Sequence, residues 1–238
     1  MALDHALAAR LGRGEAVLRL YSWTRPTVSF GRNEPVRGAY SVDEAARLGV
    51  DYVRRPTGGR AVLHDAEVTY AVVAPVRAWG GLRDAYRLVN EALAEALGAL
   101  GAPVSLAGES ATPSVGAGPC FQSPAGGEVT AGGRKLVGSA QCRIGGALLQ
   151  HGSILLGGDQ RLLSRLNAES VEDHDPPATL AGLVGGVSKD EVAEAVTGAM
   201  RATFDGDWVD DECSGEELAT ARKLASERYG RAEWTWRR

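Results

Sequence analysis

The sequence has little cysteine, little histidine and no long apolar run, and each of these absences argues against one class of protein. Its three cysteines, Cys120, Cys142 and Cys213, are too few for a disulfide framework, and no two form a C-x-x-C pair. We therefore expect a reducing, cytoplasmic environment. Four dispersed histidines lack zinc-ligand spacing, so no structural metal is predicted. Without 18 consecutive apolar residues or a basic start followed by an apolar stretch, the chain predicts no membrane span and no signal peptide.

The chain also lacks an excess of positive charge. A formal net charge of -4 gives no general basic field for a nucleic-acid backbone, although Arg54, Arg55 and Arg60 form a local basic cluster. A hydrophobic content of 44% over 238 residues is enough for an ordinary globular core. We predict a single catalytic domain over residues 1–238, with residues 187–238 as its helical C-terminal portion.

Helices are indicated by apolar spacing and by capping boxes. Leu3, Leu7 and Leu11 recur at helical spacing, and the apolar residues between 82 and 100 mark a long helix with one broad apolar face. A serine followed three residues later by glutamate is a capping-box pattern that opens a helix. This pattern occurs at Ser41/Glu44, Ser188/Glu191 and Ser214/Glu217.

Short apolar and β-branched runs predict the strands. Residues 60–64 and 67–73 are expected to pair with each other around a turn near Asp65. Residues 128–131, 135–142 and 147–156 are expected to form an antiparallel meander, because glycine pairs separate them. Further strands are predicted over 16–21, 27–30 and 50–54. Strands clustered around a few helices, without regular βαβ alternation, predict an α+β fold with a mixed, mostly antiparallel sheet packed with helices.

The segment from Arg54 to Asp65 is the first candidate binding site. It reads Arg-Arg-Pro-Thr-Gly-Gly-Arg and continues through an apolar stretch to His64 and Asp65. Glycines let main-chain N–H groups approach a ligand, and arginines supply forked donors for a carboxylate or phosphate. The alternative is a tight turn between strands with solvated arginines, and the turn chemistry leaves both interpretations open.

Cys120 and Lys135 are the second candidate site. Cys120 follows a Gly-, Ser- and Pro-rich stretch at 108–118, which is typical of a surface loop. A free thiol has a pKa of about 8.5, so a nearby ammonium such as that of Lys135 would raise its thiolate fraction. The alternative is a small buried apolar cysteine. We predict that Cys142 lies in the core, that Cys213 is exposed, and that His151 is a hydrogen-bonded structural residue.

Taken together, these segments resemble the biotin/lipoyl-protein ligase and lipoyltransferase superfamily, from Met1 to about Leu156. The glycine motif ends in Gly58-Gly59-Arg60, which is similar to the octanoyltransferase branch, whereas the ligase branch usually has three glycines. The octanoyltransferase branch has a catalytic cysteine in a Cys-Phe-x-x-Pro stretch, which is present here as Cys120-Phe121-Gln122-Ser123-Pro124. The lysine of the superfamily corresponds to Lys135. The resemblance implies a catalytic domain like that of class II aminoacyl-synthetases and biotin ligases.

The resemblance further implies an octanoyltransferase that acts in protein lipoylation. Cys120 would attack the octanoyl thioester on the phosphopantetheine of an acyl carrier protein, and Lys135 would stabilise the thiolate. The acyl group would then pass to a lysine of a lipoyl domain, in a glycine cleavage H protein or a 2-oxoacid dehydrogenase E2 subunit. Because a thioester is already activated, no cofactor, ATP or metal is implied. We expect a monomer that binds neither nucleic acid nor membrane.

The same resemblance implies a set of substrate-binding residues. His64 would position the ligand, and Gly138 and Ser139 would line the slot for the acyl chain. The full set is Arg54, Arg55, Thr57, Gly58, Gly59, Arg60, His64, Gly138 and Ser139.

Three other functions stay open. An ATP-dependent lipoate-protein ligase would bind lipoyl-adenylate across Arg54 to Arg60 and Lys135 without needing Cys120. An amidotransferase would use a cysteine to move lipoyl or octanoyl groups between carrier domains. A non-catalytic carrier-binding module would keep the fold without turnover.

Overall fold

The computed structural model describes residues 1–108, 126–167 and 175–238, so Cys120 and its Cys-Phe-x-x-Pro stretch lie outside the described residues. The strands are β1 Val17–Tyr21, β2 Thr27–Phe30, β3 Asp51–Arg54, β4 Val62–His64, β5 Glu67–Pro75, β6 Val104–Leu106, β7 Val129–Ala131, β8 Arg134–Lys135, β9 Val137–Ile144 and β10 Ala147–Leu155. The helices are α1 Ala2–Arg10, α2 Val42–Leu48, α3 Leu82–Ala99, α4 Arg161–Leu166, α5 Leu180–Val184, α6 Lys189–Thr203, α7 Gly215–Leu224 and α8 Ala232–Thr235.

The larger sheet is antiparallel and has the order β1-β5-β10-β9. Successive β5 side chains point to opposite faces, so they contribute to two cores. Val68, Tyr70 and Val72 pack with α3 and α6, whereas Ala71 and Val73 pack with α1. Because both faces are covered, β5 is apolar along most of its length, and each fully buried large apolar side chain contributes about 1.5–3 kcal/mol.

The smaller sheet has the order β3-β2-β4, with β2 parallel to β3 and antiparallel to β4. One face is covered by α2, α4 and residues near the C-terminus. Its core includes Val28, Phe30 and Leu63, and Trp236 packs against it with its ring centroid 5.4 Å from that of Phe30. The other face of this sheet looks toward the larger sheet, and the candidate site lies between them.

One predicted strand pairing is wrong, and one predicted meander is divided between two sheets. β4 pairs with β2, and β5 pairs with β1 and β10, so β4 and β5 belong to different sheets although only Asp65 and Ala66 separate them. The reason is burial, because Leu63 enters the core of the smaller sheet while β5 needs apolar cover on both faces. In the predicted meander, β7 pairs with β8 as expected, but the two form a third sheet with β6. The strands β9 and β10 form the other expected hairpin, in the larger sheet.

The local helix signals are confirmed. Ser188 and Ser214 form complete capping boxes with the glutamates three residues later, and the Ser41 hydroxyl accepts the Glu44 N–H. Gly49 ends α2 with a φ of 68°, a conformation that favours glycine. The α+β class is also confirmed. Among the described helices, none is both long enough and apolar enough to cross a bilayer.

Candidate active site

A cleft that is open to solvent lies between the larger sheet and the smaller sheet. One wall is formed by the smaller sheet and by the glycine turn that connects its strands β3 and β4. The larger sheet contributes the other. The residues that line it include Ser29, Arg55, Gly59, Val62, His64, Thr69, Gly138, Ser139, Ala140, His151, Gly152 and Ser153.

Strand alternation explains why polar groups face this cleft. In β2, Val28 and Phe30 enter the core of the smaller sheet, so Ser29 between them points to the opposite side. In β4, Leu63 enters the same core, and Val62 and His64 face the cleft. The sequence pattern therefore places a serine and a histidine on one wall.

His64 is held by a buried network. Its Nδ1 lies 2.8 Å from Glu67 Oε1, and its Nε2 lies 2.7 Å from Ser29 Oγ. Ser153 and Thr69 donate hydrogen bonds to the same Glu67 oxygen, at 2.9 and 2.5 Å. A carboxylate that accepts several hydrogen bonds fixes the groups around it. The network therefore gives His64 one orientation in the cleft wall.

The Trp23 indole supports this histidine from the side. The two rings stack at 4.3 Å with 15° between their planes, and Trp23 Nε1 donates to Thr69 Oγ1 at 2.9 Å. Arg55 Nη1 donates to Ser29 Oγ at 3.1 Å, which leaves the serine proton for His64 Nε2. In neutral His64 the other ring proton then lies on Nδ1 and is donated to Glu67.

Arg55 closes the glycine motif on itself. Its guanidinium donates to the main-chain oxygens of Ser29, Gly58 and Arg60, at distances of 2.7 to 2.8 Å. The motif also packs tightly against Gly31, the residue that follows β2, because a Cβ on Gly31 would collide with the carbonyl of Gly59. Arg55 therefore shapes the turn as well as lining the cleft.

Glu34 joins the two sides of this motif. One carboxylate oxygen accepts the Gly31 N–H at 2.9 Å, and the other accepts the Ala61 N–H at 2.8 Å. Burial raises the pKa of Glu34, while these two N–H groups and the neighbouring arginines act to lower it. Sequence reasoning missed this residue, since it lies 27 positions from its second partner.

Arg54 is fully buried and lies outside the cleft lining. Its guanidinium donates to the main-chain oxygens of Gly31, Glu34 and Thr235, at 2.5, 2.9 and 2.9 Å. Burial lowers its pKa to about 10, so the group is still charged at neutral pH. These contacts tie the start of the motif to the C-terminal residues, and a substrate contact by Arg54 stays a prediction.

Thr57 reaches the other sheet. Its Oγ1 lies 2.6 Å from His151 Nε2, and both residues are buried, which confirms that His151 is a hydrogen-bonded residue of the strand β10. Gly58 is exposed, and Arg60 is buried. Of the nine predicted binding residues, the cleft lining includes Arg55, Gly59, His64, Gly138 and Ser139.

Burial lowers the pKa of His151 from 6.5 to about 3, which makes stability depend on pH. As the pH falls below 6.5, the unfolded chain takes up this proton before the folded chain does. This group should therefore cost about 1.4 kcal/mol of unfolding free energy per pH unit between pH 6.5 and 3. We expect urea denaturation of a His151→Gln variant to show a shallower loss of stability from pH 7 to pH 5 than the wild-type protein. Parallel slopes would contradict this assignment.

Lys135 is buried at the end of β8, with only 2% of its side chain exposed. Its Nζ lies 2.7 Å from Oε1 of Glu128, which is 3% exposed, across the hairpin turned by Gly132 and Gly133. Two residues further on, β9 begins and carries Gly138 and Ser139 into the cleft lining. The distance from Lys135 to the Cys120 sulfur is outside what the structure describes.

Three buried glutamates of this region escape motif analysis, namely Glu34, Glu67 and Glu128. For two of them, a pattern in the neighbouring sequence could have indicated the contact. Glu67 follows His64 by three residues, and Glu128 and Lys135 are opposite charges on either side of a glycine turn.

The two cysteines among the described residues, Cys142 and Cys213, are both half-buried against the core beneath α1. The prediction that Cys213 is exposed is therefore wrong, and Cys142 is only partly buried.

Comparison with known proteins decides the family. Residues 1–201 match the lipoyl protein ligase A/B catalytic domain. The chain belongs to this family. Among its relatives is Octanoyltransferase LipM of Moorella thermoacetica, which is 37% identical over 264 residues, covering 100% of this chain and 93% of the relative.

Solved structures of the lipoyl ligase family have the same fold. Lipoate-protein ligase A bound with ATP superposes with a TM-score of 0.84 at 26% identity, over 99% of this chain and 92% of the ligase. A bipartite lipoate protein ligase, solved with its E2 lipoyl domain from Thermoplasma acidophilum, has a TM-score of 0.78 at 26% identity, over 99% of this chain and 89% of the other. The agreement over almost the whole chain matches the resemblance found in the sequence motifs.

Proposed function

We propose that this chain is an octanoyltransferase that moves an octanoyl group from an acyl carrier protein to a lysine of a lipoyl domain. The observation that carries the proposal is full-length identity of 37% to a relative named Octanoyltransferase LipM. The cysteine stretch at Cys120 supports it, because acyl transfer through a thioester needs a nucleophilic sulfur.

The reaction has two balanced acyl transfers. In the first, the Cys120 thiolate attacks the octanoyl carbonyl, a new thioester forms, and the pantetheine thiolate leaves and takes up a proton. In the second, the neutral amine of the acceptor lysine attacks the Cys120 thioester, an amide forms, and the Cys120 sulfur leaves as thiolate. One proton is released from the amine. No step needs ATP, because the donor thioester supplies the driving force.

Lys135 is assigned to this reaction as the cation that favours the thiolate form of Cys120. Its ion pair with Glu128 gives the ammonium a fixed position in a buried setting, where a charge interacts more strongly than in water. Glu128 would thereby act as a positioning residue for Lys135. A fixed cation needs little reorganisation when negative charge develops on sulfur or on the acyl oxygen.

The cleft is assigned to the acyl group and its thioester. Gly152 lets β10 pack closely against Gly138 and the Tyr70 ring, because a side chain there would collide with both, and neither glycine puts a side chain into the cleft. Ser29 Oγ accepts a hydrogen bond from Arg55 and donates one to His64, so its remaining lone pair at this wall can accept a hydrogen bond from the incoming amine. The apolar chain would extend from that polar wall along the sheet.

Lipoate-protein ligase is the second candidate, because a ligase structure bound with ATP superposes with a TM-score of 0.84. The two functions differ in their energy source. A ligase forms an adenylate from a free acid and ATP, whereas the transferase accepts an octanoyl thioester directly.

We expect purified protein to transfer octanoate from octanoyl carrier protein to a lipoyl domain when ATP is omitted. Intact mass spectrometry before the acceptor is added should show one octanoyl adduct, and peptide mapping should place it on Cys120. Octanoic acid with ATP and Mg²⁺ is the matched control and should give no product. Product from this control alone would reject the transferase and favour the ligase, and absence of both products would favour a non-catalytic module.

A further inference from the structure

Four arginines form a positively charged surface beside the glycine motif, in a chain whose net charge is -4. Arg32 lies in the turn after β2, and Arg228, Arg237 and Arg238 belong to the C-terminal residues. Arg32 and Arg238 are exposed, and the other two are half-buried. We call these four residues the arginine patch.

The Trp234 indole holds the patch together. The guanidinium carbon of Arg237 lies 4.1 Å from its ring centroid, and that of Arg228 lies 4.6 Å away. Trp234 Nε1 donates to the main-chain oxygen of Arg54 at 2.8 Å, and the Arg237 side chain donates to the main-chain oxygen of Arg32. These contacts keep the charges of distant chain segments on one surface.

Like charges in the patch repel one another. Burial and the other three arginines of the patch lower the pKa of Arg237. None of the salt bridges found among the described residues uses an arginine of the patch. Three acidic residues lie close to the patch in sequence, and none of them takes part in those salt bridges. Glu227 and Glu233 are exposed, whereas Glu34, two residues from Arg32, is buried and accepts the Gly31 and Ala61 N–H groups. Repulsion of this kind is relieved when an anionic partner binds.

The patch shares a border with the cleft. The Arg32 N–H donates to the main-chain oxygen of Thr57 at 2.7 Å, and Gly31 packs directly against Gly59, which lines the cleft. A partner seated on the patch would therefore lie beside the cleft and not over it. A long flexible arm can cross such an offset, whereas an acceptor lysine side chain is much shorter.

We propose that the arginine patch is the docking surface for an acidic face of the carrier protein that brings the octanoyl thioester, an inference that rests on the proposed function. A phosphodiester on the prosthetic arm carries one negative charge, whereas the patch presents four positive charges. A protein surface with several carboxylates matches this number better, and arginine forks bind carboxylates in pairs. Charge complementarity of this type raises the association rate and weakens with added salt.

The test is charge reversal at two positions, Arg32→Glu with Arg238→Glu. The hydrogen bonds of these two residues are made by main-chain atoms, so the variant should keep the fold. We expect kcat/KM for octanoyl carrier protein to fall at least about tenfold at low ionic strength, with a smaller change in kcat. Arg13→Glu with Arg77→Glu makes the same charge change at exposed positions outside the patch and should leave kcat/KM within about twofold.

Two smaller donors identify what the patch recognises. Octanoyl-phosphopantetheine carries the phosphate without the protein, and octanoyl-N-acetylcysteamine carries neither. Both should react with the patch variant at the wild-type rate. An equal loss with octanoyl-phosphopantetheine would overturn the proposal in favour of a phosphate site. A loss with octanoyl-N-acetylcysteamine would overturn it in favour of acceptor docking, and so would an unchanged rate with octanoyl carrier protein.

Direct binding separates this inference from the proposed function. Titration calorimetry of the holo-carrier protein with wild-type protein should give a salt-dependent Kd, and the patch variant should bind at least about tenfold more weakly. If no donor supports transfer by the wild-type protein, the proposed function fails while this comparison still tests the patch. Equal binding by the two proteins would overturn the docking surface even if transfer is observed.

Discussion

A Cys120→Ala variant is expected to lose octanoyl transfer by a factor on the order of 10⁴ to 10⁶, as enzymes do when their covalent nucleophile is removed. Alanine cannot form the thioester, so the octanoyl adduct should also be absent from the intact mass spectrum. The measurement is the initial rate of lipoyl-domain acylation with octanoyl carrier protein as the donor, at matched folded protein concentration.

Cys142→Ala is the matched control. Burial raises the pKa of the Cys142 thiol to about 11, so it is a poor nucleophile at neutral pH. Its removal should change the rate by no more than about twofold. Retained transfer in Cys120→Ala, or an adduct that maps to Cys142, would reject the nucleophile assignment.

A Lys135→Met variant should lose both stability and activity. The substitution removes the ammonium partner of the buried Glu128 carboxylate, and breaking a buried pair in this way costs about 3–5 kcal/mol of unfolding free energy. It also removes the cation assigned to the thiolate. Urea denaturation and the ATP-free transfer assay should therefore both report large losses.

The double variant Lys135→Met with Glu128→Gln separates the two effects. It removes both charges, so most of the stability lost in Lys135→Met should return. Transfer should not return, because no cation faces the sulfur. If the double variant transfers octanoate at the wild-type rate, Lys135 has only a structural role and its place in the mechanism is wrong.

Local interactions made the helices predictable. The capping boxes at Ser188 and Ser214 join groups three residues apart, and both are present in the structure. The long helix α3 followed from apolar spacing, because one face had to be buried. The glycine turns between β7 and β8 and between β9 and β10 were also predictable, since their residues favour positive φ.

The choice of strand partner was not predictable in the same way. Pairing 60–64 with 67–73 was reasonable from their short separation, yet each strand found other neighbours. The two-residue connection between these strands permits a hairpin. Its length does not indicate whether a strand must be packed against other elements on both of its faces. That requirement depends on helices that are distant in sequence.

The amino-acid sequence was sufficient for the family, the α+β class and the candidate residues Cys120, Lys135 and His64, because motifs and periodicity are local properties. The tertiary structure alone shows how some of those residues are held. His64 meets Ser29 across 35 residues, Thr57 meets His151 across 94, and Arg54 meets Thr235 across 181. Contacts over such separations depend on packing of the whole chain, because burial of polar groups selects their partners in space and not along the sequence.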